Sequence, residues 1–238
     1  MGGATAPLPG TDVPVYLLDH REFYARGYLY DPKNGFAPDN LARFAFLSRG
    51  ALQLAKHLKW TPDVFHVHDW PTALVPLYLN TLESRGPLGR SATVLTLHNV
   101  SHAPRFSKNA LPNTHLPWSV FTRDGLEDHD GVNPLKGGLF HSTMLTAVSP
   151  TYAREIRTRD GGAGLEGVGE QRGLARVGAR VALAAGAAVR RVMFHEPCPK
   201  EQADHAVELV VDRLGEGGAG VDAAEGAGDR LLLGERGQ

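Results

Sequence analysis

The sequence predicts an α/β protein with an open, mainly parallel β-sheet, and two observations carry this prediction. Two short apolar runs end abruptly in polar residues: VFHVHDW at residues 64–70 and TVLTLHN at residues 93–99. Runs rich in β-branched, aromatic and leucine residues are typical of buried strands. Between them, residues 72–80 (TALVPLYLN) form an apolar segment of helical length. Together they make a βαβ unit, whose polar residues gather at the carboxyl ends of the strands, where open α/β sheets bind ligands.

Composition places the chain among ordinary globular proteins. Of its 238 residues, 42% are hydrophobic and 21% charged. The formal net charge of −1 gives no general positive field for nucleic acid or an anionic membrane. One cysteine, Cys198, excludes an internal disulfide and suits a reducing cytosol. Residues 1–10 lack the features of a secretion signal, and no apolar stretch approaches the ~20 residues of a membrane span. We therefore expect a soluble, cytoplasmic chain.

The first third of the chain contains a leader, a strand, a loop and a helix. Residues 1–12 are rich in Gly, Pro and Ala and predict a flexible leader, and residues 13–18 (VPVYLL) predict a strand. Residues 23–36 carry tyrosines among Gly, Pro and Asn and predict a loop. Residues 39–60 show a 3.6-residue apolar repeat and predict the clearest helix, whose start Asp39 or Asn40 can cap.

Further elements follow the second site strand. Residues 104–134 are polar and proline-rich and predict a long surface excursion. Residues 133–141 begin a helix and residues 145–148 predict a strand. Ser149 is a good N-cap for the next helix, with Pro150 at its first position.

The HVHD segment invites a metal interpretation, since two histidines and a carboxylate can ligate zinc. On a strand, His66 and His68 share one face and Asp69 points away from it. No second group of ligands is spaced to complete four-coordinate geometry. We therefore predict no metal site here.

Three segments carry a resemblance to a known family: HVHDWPTALVPLYL, TVLTLHN, and VNPLKGGLFHSTMLTAVSPTYAREI at residues 132–156. They resemble, in order, the N-terminal catalytic domain of bacterial glycogen synthases and plant starch synthases, over residues 13–165. The resemblance implies an incomplete Rossmann-like N-terminal half of a two-domain, retaining glucosyltransferase. Such an enzyme moves glucose from ADP-glucose to the non-reducing end of an α-1,4-glucan such as glycogen, and needs neither metal nor other cofactor.

The resemblance also implies site residues. His98 matches the histidine that touches the transferred glucose and stabilises its positively charged transition state; from the residues alone, a histidine that caps a strand end is an open alternative. Asp69 is the second catalytic candidate beside His98: it matches a residue bordering the sugar pocket and is a partner for sugar hydroxyls. Trp70 and Asn99 are the neighbouring substrate-binding candidates.

Two aromatic residues complete the candidate set. Tyr30 is the best positional match for a nucleotide-contacting tyrosine of the family, although an aromatic that packs a loop onto the sheet fits the sequence equally well. Trp118 lies in the region where the family has part of its acceptor groove. It is able to stack on a sugar ring, and a hydrophobic anchor for its loop is the alternative.

This chain departs from the family at several positions. Pro71 stands where the family usually has a histidine, and His102-Ala-Pro104 stands where the family usually has a Tyr-Gln-Gly signature. The family's phosphate-binding KTGGL loop is not found in this sequence. Residues 161–238 contain 14 alanines and 16 of the 28 glycines of the chain. We therefore expect a poorly ordered or partly helical tail, with short helices over 177–192 and 200–214.

Three domains and three functions follow as expectations. The domains are a leader (1–12), a partial catalytic domain (13–165) and a non-homologous tail (166–238) whose abrupt start suggests a shifted reading frame. The first function is glycogen synthase-type glucosyl transfer, with negligible turnover by these residues alone because the family's second domain supplies the cations for the diphosphate. The alternatives are a non-catalytic glucan-binding fragment and an unstable remnant whose sheet has an unpaired edge.

Overall fold

The fold is described from a computed structural model of the 238-residue chain. The structure describes residues 2–7, 13–30, 37–171, 190–195 and 208–213, and the statements below concern these residues. Among them, no helix combines the length and apolarity needed to cross a bilayer.

Strands and helices alternate along most of the described chain. The strands are β1 (Gly2–Pro7), β2 (Pro14–Asp19), β3 (Val64–His68), β4 (Ala92–Leu97), β5 (Phe106–Ser107), β6 (Glu127–Asp128), β7 (Gly131–Val132), β8 (Met144–Ala147), β9 (Arg190–His195) and β10 (Glu208–Arg213). The α-helices are α1 (Arg21–Tyr24), α2 (Asn40–His57), α3 (Asp69–Thr72), α4 (Leu74–Asn80), α5 (Pro134–His141), α6 (Pro150–Glu155) and α7 (Glu166–Gln171). Short 3₁₀ helices cover Pro87–Arg90, Val100–His102, Lys108–Thr114 and Trp118–Val120.

Seven strands form the main sheet in the order β1-β2-β10-β9-β3-β4-β8. Strands β9, β3, β4 and β8 run parallel to one another, whereas β1, β2 and β10 pair with their neighbours antiparallel. The predicted α/β class with a parallel sheet is therefore confirmed. The strands expected at residues 13–18, 64–70, 93–99 and 145–148 correspond to β2, β3, β4 and β8.

One face of the parallel strands forms the core. Phe65, Val67, Leu95 and Ala147 are each 0% exposed, and they belong to the same apolar cluster as the buried residues of α2, α4 and α5. The helices that connect β2 to β3 and β3 to β4 carry long apolar side chains, and their burial supplies most of the driving force for this layer.

Helix α2 lies where the 3.6-residue repeat predicts it, with its apolar stripe buried. Asp39 occupies the N-cap position, but its carboxylate accepts a hydrogen bond from the Arg26 guanidinium at 2.9 Å and caps no helix N–H. The predicted side-chain cap is therefore wrong. The helices after β7 follow the sequence closely: Asn133 caps α5 and Ser149 caps α6, each through a side-chain oxygen. The cap of α6 follows the parallel strand β8, whereas the cap of α5 follows β7, which pairs antiparallel with β5 and β6. Each cap fixes how the chain enters its helix.

Both ends of the chain contribute strands. Gly2–Pro7, within the expected leader, pairs with β2 as β1, and residues 8–12 lie outside the described residues. The helices expected over 177–192 and 200–214 are wrong where the structure describes them, because β9 and β10 occupy those positions. The loop expected over residues 23–36 begins inside α1, which extends to Tyr24.

Candidate functional site

The candidate site lies where β3 and β4 end, and a buried carboxylate joins the two strand ends. Asp69 follows directly after β3, has a left-handed backbone (φ +48°) and is 4% exposed. Its Oδ1 atom accepts hydrogen bonds from the backbone N–H of His98 at 2.8 Å and of Asn99 at 3.3 Å. Aspartate tolerates the left-handed region better than most residues, so the turn that aims the carboxylate at β4 is accessible to it.

Burial determines the electrostatics of Asp69. Removal from water raises the pKa of the Asp69 carboxyl, and the hydrogen bonds from the His98 and Asn99 backbone, with the nearby His98 and His102, oppose that rise in part. The carboxylate is directed at protein N–H groups, and therefore acts first as a clamp on the strand ends. Through the clamp it fixes the backbone that carries His98.

His98 and Asn99 are the exposed residues of this junction. The Asn99 side chain accepts a hydrogen bond from the Ser101 N–H at 3.0 Å and so caps the 3₁₀ helix Val100–His102. The Tyr152 hydroxyl, on α6, accepts from the Val100 N–H at 2.8 Å. Three features thus hold the segment that carries His98. Asp69 accepts hydrogen bonds from its backbone N–H groups, the 3₁₀ helix Val100–His102 follows it in the chain, and Tyr152 of α6 binds the Val100 N–H.

Three histidine rings form a row at the junction. Nδ1 of the buried His68 lies 2.8 Å from Nε2 of His98, and the His66 ring lies 4.4 Å from the His68 ring. His66 Nε2 contacts the Thr96 hydroxyl at 2.6 Å, and that hydroxyl contacts Thr146 at 2.7 Å, so the row continues across β4 to β8. Within the described part of the chain, no group of three or more His, Cys, Asp or Glu side chains is arranged to hold a metal ion.

Trp70 and Tyr30 lie behind the junction. Trp70 is 2% exposed, and its ring packs against Phe44 (centroids 4.7 Å apart) and Tyr30 (5.4 Å). Tyr30 is half-buried, and its carbonyl accepts a hydrogen bond from the Asn40 amide at 2.7 Å. In this structure Trp70 belongs to the core under Asp69, where its bulk supports the turn that carries the carboxylate.

A cleft of about 670 Å³ borders the junction on the side that follows β4. Its wall is made mainly by the segment after Asn99, together with residues near α2, α5 and α7. The lining residues are Ala37, Pro38, Val100, Ser101, Ala103, Pro104, Arg105, Phe106, Ser107, Ala110, Asn133, Ala163 and Leu165. The wall sets four polar side chains, Ser101, Arg105, Ser107 and Asn133, among mainly apolar ones. Ligand pockets commonly combine apolar walls with a few polar groups that orient the ligand.

An ion-pair network braces the Arg105 side of this cleft. The buried Asp128 carboxylate accepts hydrogen bonds from Arg105 Nε at 2.9 Å and from Asn133 Nδ2 at 2.8 Å. Burial alone would raise the pKa of Asp128, but these two donors and the charges of Arg105 and Lys136 hold it below the ordinary value. Strands β5, β7 and β6 form a small sheet around this network.

Trp118 is not among the residues that line the cleft. Its side chain is 56% exposed, and its ring meets Phe121 edge-on with centroids 5.7 Å apart. The ring therefore combines solvent-accessible surface with an edge-on contact to Phe121.

Of the six residues predicted from the sequence, the structure brings Asp69, His98 and Asn99 together at the strand junction. His68 and Arg105 were not predicted as site residues. The alternation of β3 placed His68 beside His66, but only the register of β3 against β4 reveals its contact with His98. Arg105 lies in an irregular segment that carries no periodic signal.

The open parallel sheet, with polar residues at the carboxyl ends of adjacent strands and a cleft beside them, defines a ligand-binding α/β domain of the Rossmann-like class. Comparison with known proteins makes this specific. The family model described as the starch synthase catalytic domain matches residues 3–171. The chain belongs to this family.

Individual relatives agree with the family assignment. Glycogen synthase 1 of Geobacter sulfurreducens is 48% identical over 172 residues, which cover 72% of this chain and 34% of that protein. Glycogen synthase of Myxococcus xanthus is 48% identical over 155 residues, covering 65% and 32%. The chain thus spans about a third of the length of the curated relatives it matches.

A solved structure matches the fold as well. It is the catalytic domain of starch synthase IV from Arabidopsis thaliana bound to ADP and acarbose, with a TM-score of 0.60 and 28% sequence identity. The match covers 72% of this chain and 38% of that one.

Proposed function

We propose that this chain forms the sugar-binding side of an ADP-glucose-dependent α-1,4-glucan synthase of the glycogen synthase type. The observation that carries the proposal is the junction of Asp69, His98 and Asn99 beside a cleft, within a chain of the starch synthase catalytic domain family. The relatives named glycogen synthase, and the starch synthase IV structure bound to ADP and acarbose, support the nucleotide sugar and the glucan as ligands.

The reaction exchanges one glycosidic bond for another with retention at the anomeric carbon. The bond between the glucose C1 and the phosphate oxygen of ADP breaks, and C1 bonds to the 4-hydroxyl oxygen of the glucan end. The hydroxyl proton leaves on the departing phosphate. Positive charge develops on the sugar in the transition state, and preorganised polar groups lower its energy most when they are fixed before reaction.

In this proposal His98 contacts the transferred glucose and Asn99 lies next to it. Asp69 holds both at the strand end, and Trp70 and Tyr30 support that end from the core. Trp118, with its exposed ring, provides a stacking surface for the glucan. A cytoplasmic location accompanies the proposal, since the single cysteine suits a reducing compartment.

A chimera tests this function. Because the chain spans about a third of its relatives, residues 3–171 of this chain replace the matching segment within full-length Geobacter sulfurreducens glycogen synthase 1. Glucose transfer from radiolabelled ADP-glucose to glycogen by this chimera is then measured. The chimera should be active. His98→Ala in it should lower kcat/KM by about 100-fold or more, whereas His57→Ala, an exposed histidine at the end of α2, should stay within about twofold.

Two results would overturn the proposal. A folded but inactive chimera would argue against the function itself. Equal activities of His98→Ala and His57→Ala would argue against the site.

The exposed ring of Trp118 favours a second function, non-catalytic glucan binding by the 238-residue chain alone. Electrophoresis in gels with and without glycogen tests it. Retardation that is lost in Trp118→Ala supports it, and unretarded migration of the folded chain excludes it.

A further inference from the structure

We infer that His68 is a positioning residue that holds the His98 ring in one orientation and one tautomer. This inference deepens the proposed function, on which its role in sugar transfer rests. The key contact joins His68 Nδ1 to His98 Nε2 at 2.8 Å, a hydrogen-bond distance between two imidazole nitrogens. His68 is buried at 6% exposure, whereas His98 is exposed at the end of β4.

The buried member of the pair is fixed by its surroundings. The His68 backbone N–H donates to the Thr72 hydroxyl at 2.8 Å, and the same hydroxyl donates to the His68 carbonyl at 2.8 Å. The His68 ring lies between two other rings, with centroids 4.4 Å from His66 and 5.1 Å from His98. A ring enclosed in this way has little freedom to rotate, so it acts as a fixed partner for an exposed side chain.

His98 is therefore restrained in both its backbone and its side chain. Asp69 Oδ1 binds its backbone N–H at 2.8 Å and fixes the chain, but this bond leaves rotation about the side-chain torsions unrestricted. The contact with His68 restricts those torsions. Exposed histidines otherwise sample several rotamers, and each ring orientation presents a different nitrogen to a ligand.

The pair also sets the protonation pattern of His98. A hydrogen bond between two neutral imidazoles requires one N–H and one lone pair, so the two facing nitrogens share a single proton. Once that proton is assigned, the tautomer of each ring is determined, and with it whether His98 Nδ1 is a donor or an acceptor. The two rings thus behave as one unit.

Nuclear magnetic resonance of the full 238-residue chain tests the inference without any measurement of activity. With ¹⁵N-labelled histidine at about pH 8, long-range ¹H–¹⁵N spectra distinguish a protonated from an unprotonated ring nitrogen. His98→Gln assigns the signals. The wild-type His98 ring should give one protonated and one unprotonated nitrogen, as expected for a single tautomer.

Variants of His68 separate positioning from simple packing. His68→Leu fills the space without a hydrogen bond, and should give averaged nitrogen shifts for His98. His68→Asn places an amide near the former Nδ1 and should restore the single-tautomer pattern. His102→Gln, at an exposed histidine outside the pair, should leave the pattern unchanged.

Two outcomes would overturn the inference. Averaged shifts for the wild-type His98 ring do so without any change at His68, which keeps the test decisive if His68→Leu does not fold. An unchanged single-tautomer pattern in a folded His68→Leu variant does so too.

In the active chimera, we expect His68→Leu to lower kcat by about tenfold with little change in KM for ADP-glucose. We expect His68→Asn to recover most of the loss. An inactive chimera would refute the proposed function alone, because the spectra report on the pair independently.

Discussion

Oδ1 of Asp69 lies 2.8 Å from the backbone nitrogen of His98 and 3.3 Å from that of Asn99, so a single oxygen ties together the ends of two parallel strands. The arrangement combines a buried carboxylate, a left-handed backbone and two backbone donors. Each of these three features gives a separable effect on stability.

Three substitutions of Asp69 separate strain from lost hydrogen bonds. Asp69→Asn keeps an oxygen acceptor and tolerates φ > 0, so we expect a small change in the free energy of unfolding. Asp69→Gly relieves the backbone but loses both bonds, and should cost about 1–3 kcal/mol. Asp69→Ala loses the bonds and adds left-handed strain, so it should be the least stable by about a further 1 kcal/mol. Urea denaturation gives all three values, and equal stability of the Asn and Ala variants would contradict the clamp.

The pH dependence of the Asp69→Asn comparison follows from the raised carboxyl pKa. Folding favours the protonated form, so the stability contributed by Asp69 is fully present below the unfolded pKa of 3.8 and is lost as pH rises through the folded pKa. Relative to Asp69→Asn, the wild type should therefore lose stability as pH rises above about 4. Parallel urea titrations across this range measure the difference. A difference that grows in favour of the wild type as pH rises would mean that the hydrogen bonds outweigh burial.

Asp128 should behave in the opposite sense, because its folded pKa is lowered. Its stabilising contribution is present above the unfolded pKa of 3.8 and is lost as pH falls through the folded pKa. At neutral pH, Asp128→Asn should cost about 1–2 kcal/mol, because it weakens the bonds from Arg105 and Asn133. The matched control is Asp130→Asn, whose side chain is 70% exposed and pairs with Lys108, and which should change stability by less than about 0.5 kcal/mol. Thermal or urea unfolding of both variants measures the two losses of stability. Equal losses for Asp128→Asn and Asp130→Asn would show that the buried network adds nothing to the free energy of unfolding.

Two adjacent glycines of α5 make a sharper packing test. A Cβ at Gly138 would lie 2.8 Å from the Ala73 carbonyl oxygen and 2.7 Å from its Cβ, whereas one at Gly137 would meet the side-chain ends of Leu126 and Leu77. Flexible leucine ends move more readily than backbone, so Gly138→Ala should cost about 1–3 kcal/mol. Gly137→Ala should lie near neutral, since the gain in helix propensity of about 1 kcal/mol offsets the crowding. Unfolding free energies of the two variants test this ranking, and a reversed order would mean that α5 approaches Ala73, between α3 and α4, less closely than the structure shows.

The sequence predicts the position of the strand junction that forms the candidate site, because local patterns determine where the two strands end. The runs before Asp69 and His98 have the residue types of buried strands, and parallel neighbours end at the same edge of a sheet. The contact between His68 and His98 was not predicted, because it depends on the register of β3 against β4, which no short pattern reports.

The direction of the side chains at the turn after β3 could not be predicted from the sequence either. Trp70 follows Asp69 in the chain, but the left-handed backbone at Asp69 breaks the alternation of β3, and the Trp70 ring lies in the core.

The strands β9 and β10 were missed for another reason. Their neighbours in the chain are glycine- and alanine-rich, and their pairing with β2 and β3 spans more than a hundred residues, so local propensity carries no information about it.

The pairing of β9 and β10 gives the last prediction. β9 pairs parallel with β3 (Phe65 opposite Val192), and β10 joins it to β2. A chain ending at Gln171 keeps the family-matched segment but leaves the edges of β2 and β3 unpaired in the middle of the sheet. Unpaired edges next to buried strands promote association between chains. We therefore expect this truncation to melt at a lower temperature and to aggregate.

The matched control ends at Arg213 and retains both strands. It should melt closer to the full chain, and light scattering with thermal unfolding compares the three proteins. Val192→Pro in the full chain adds a point test, since proline in a central strand removes a ladder hydrogen bond and should reproduce much of the loss. If the chain ending at Gln171 is as stable and monomeric as the full chain, β9 and β10 contribute nothing to the sheet, and β3 is protected by other means.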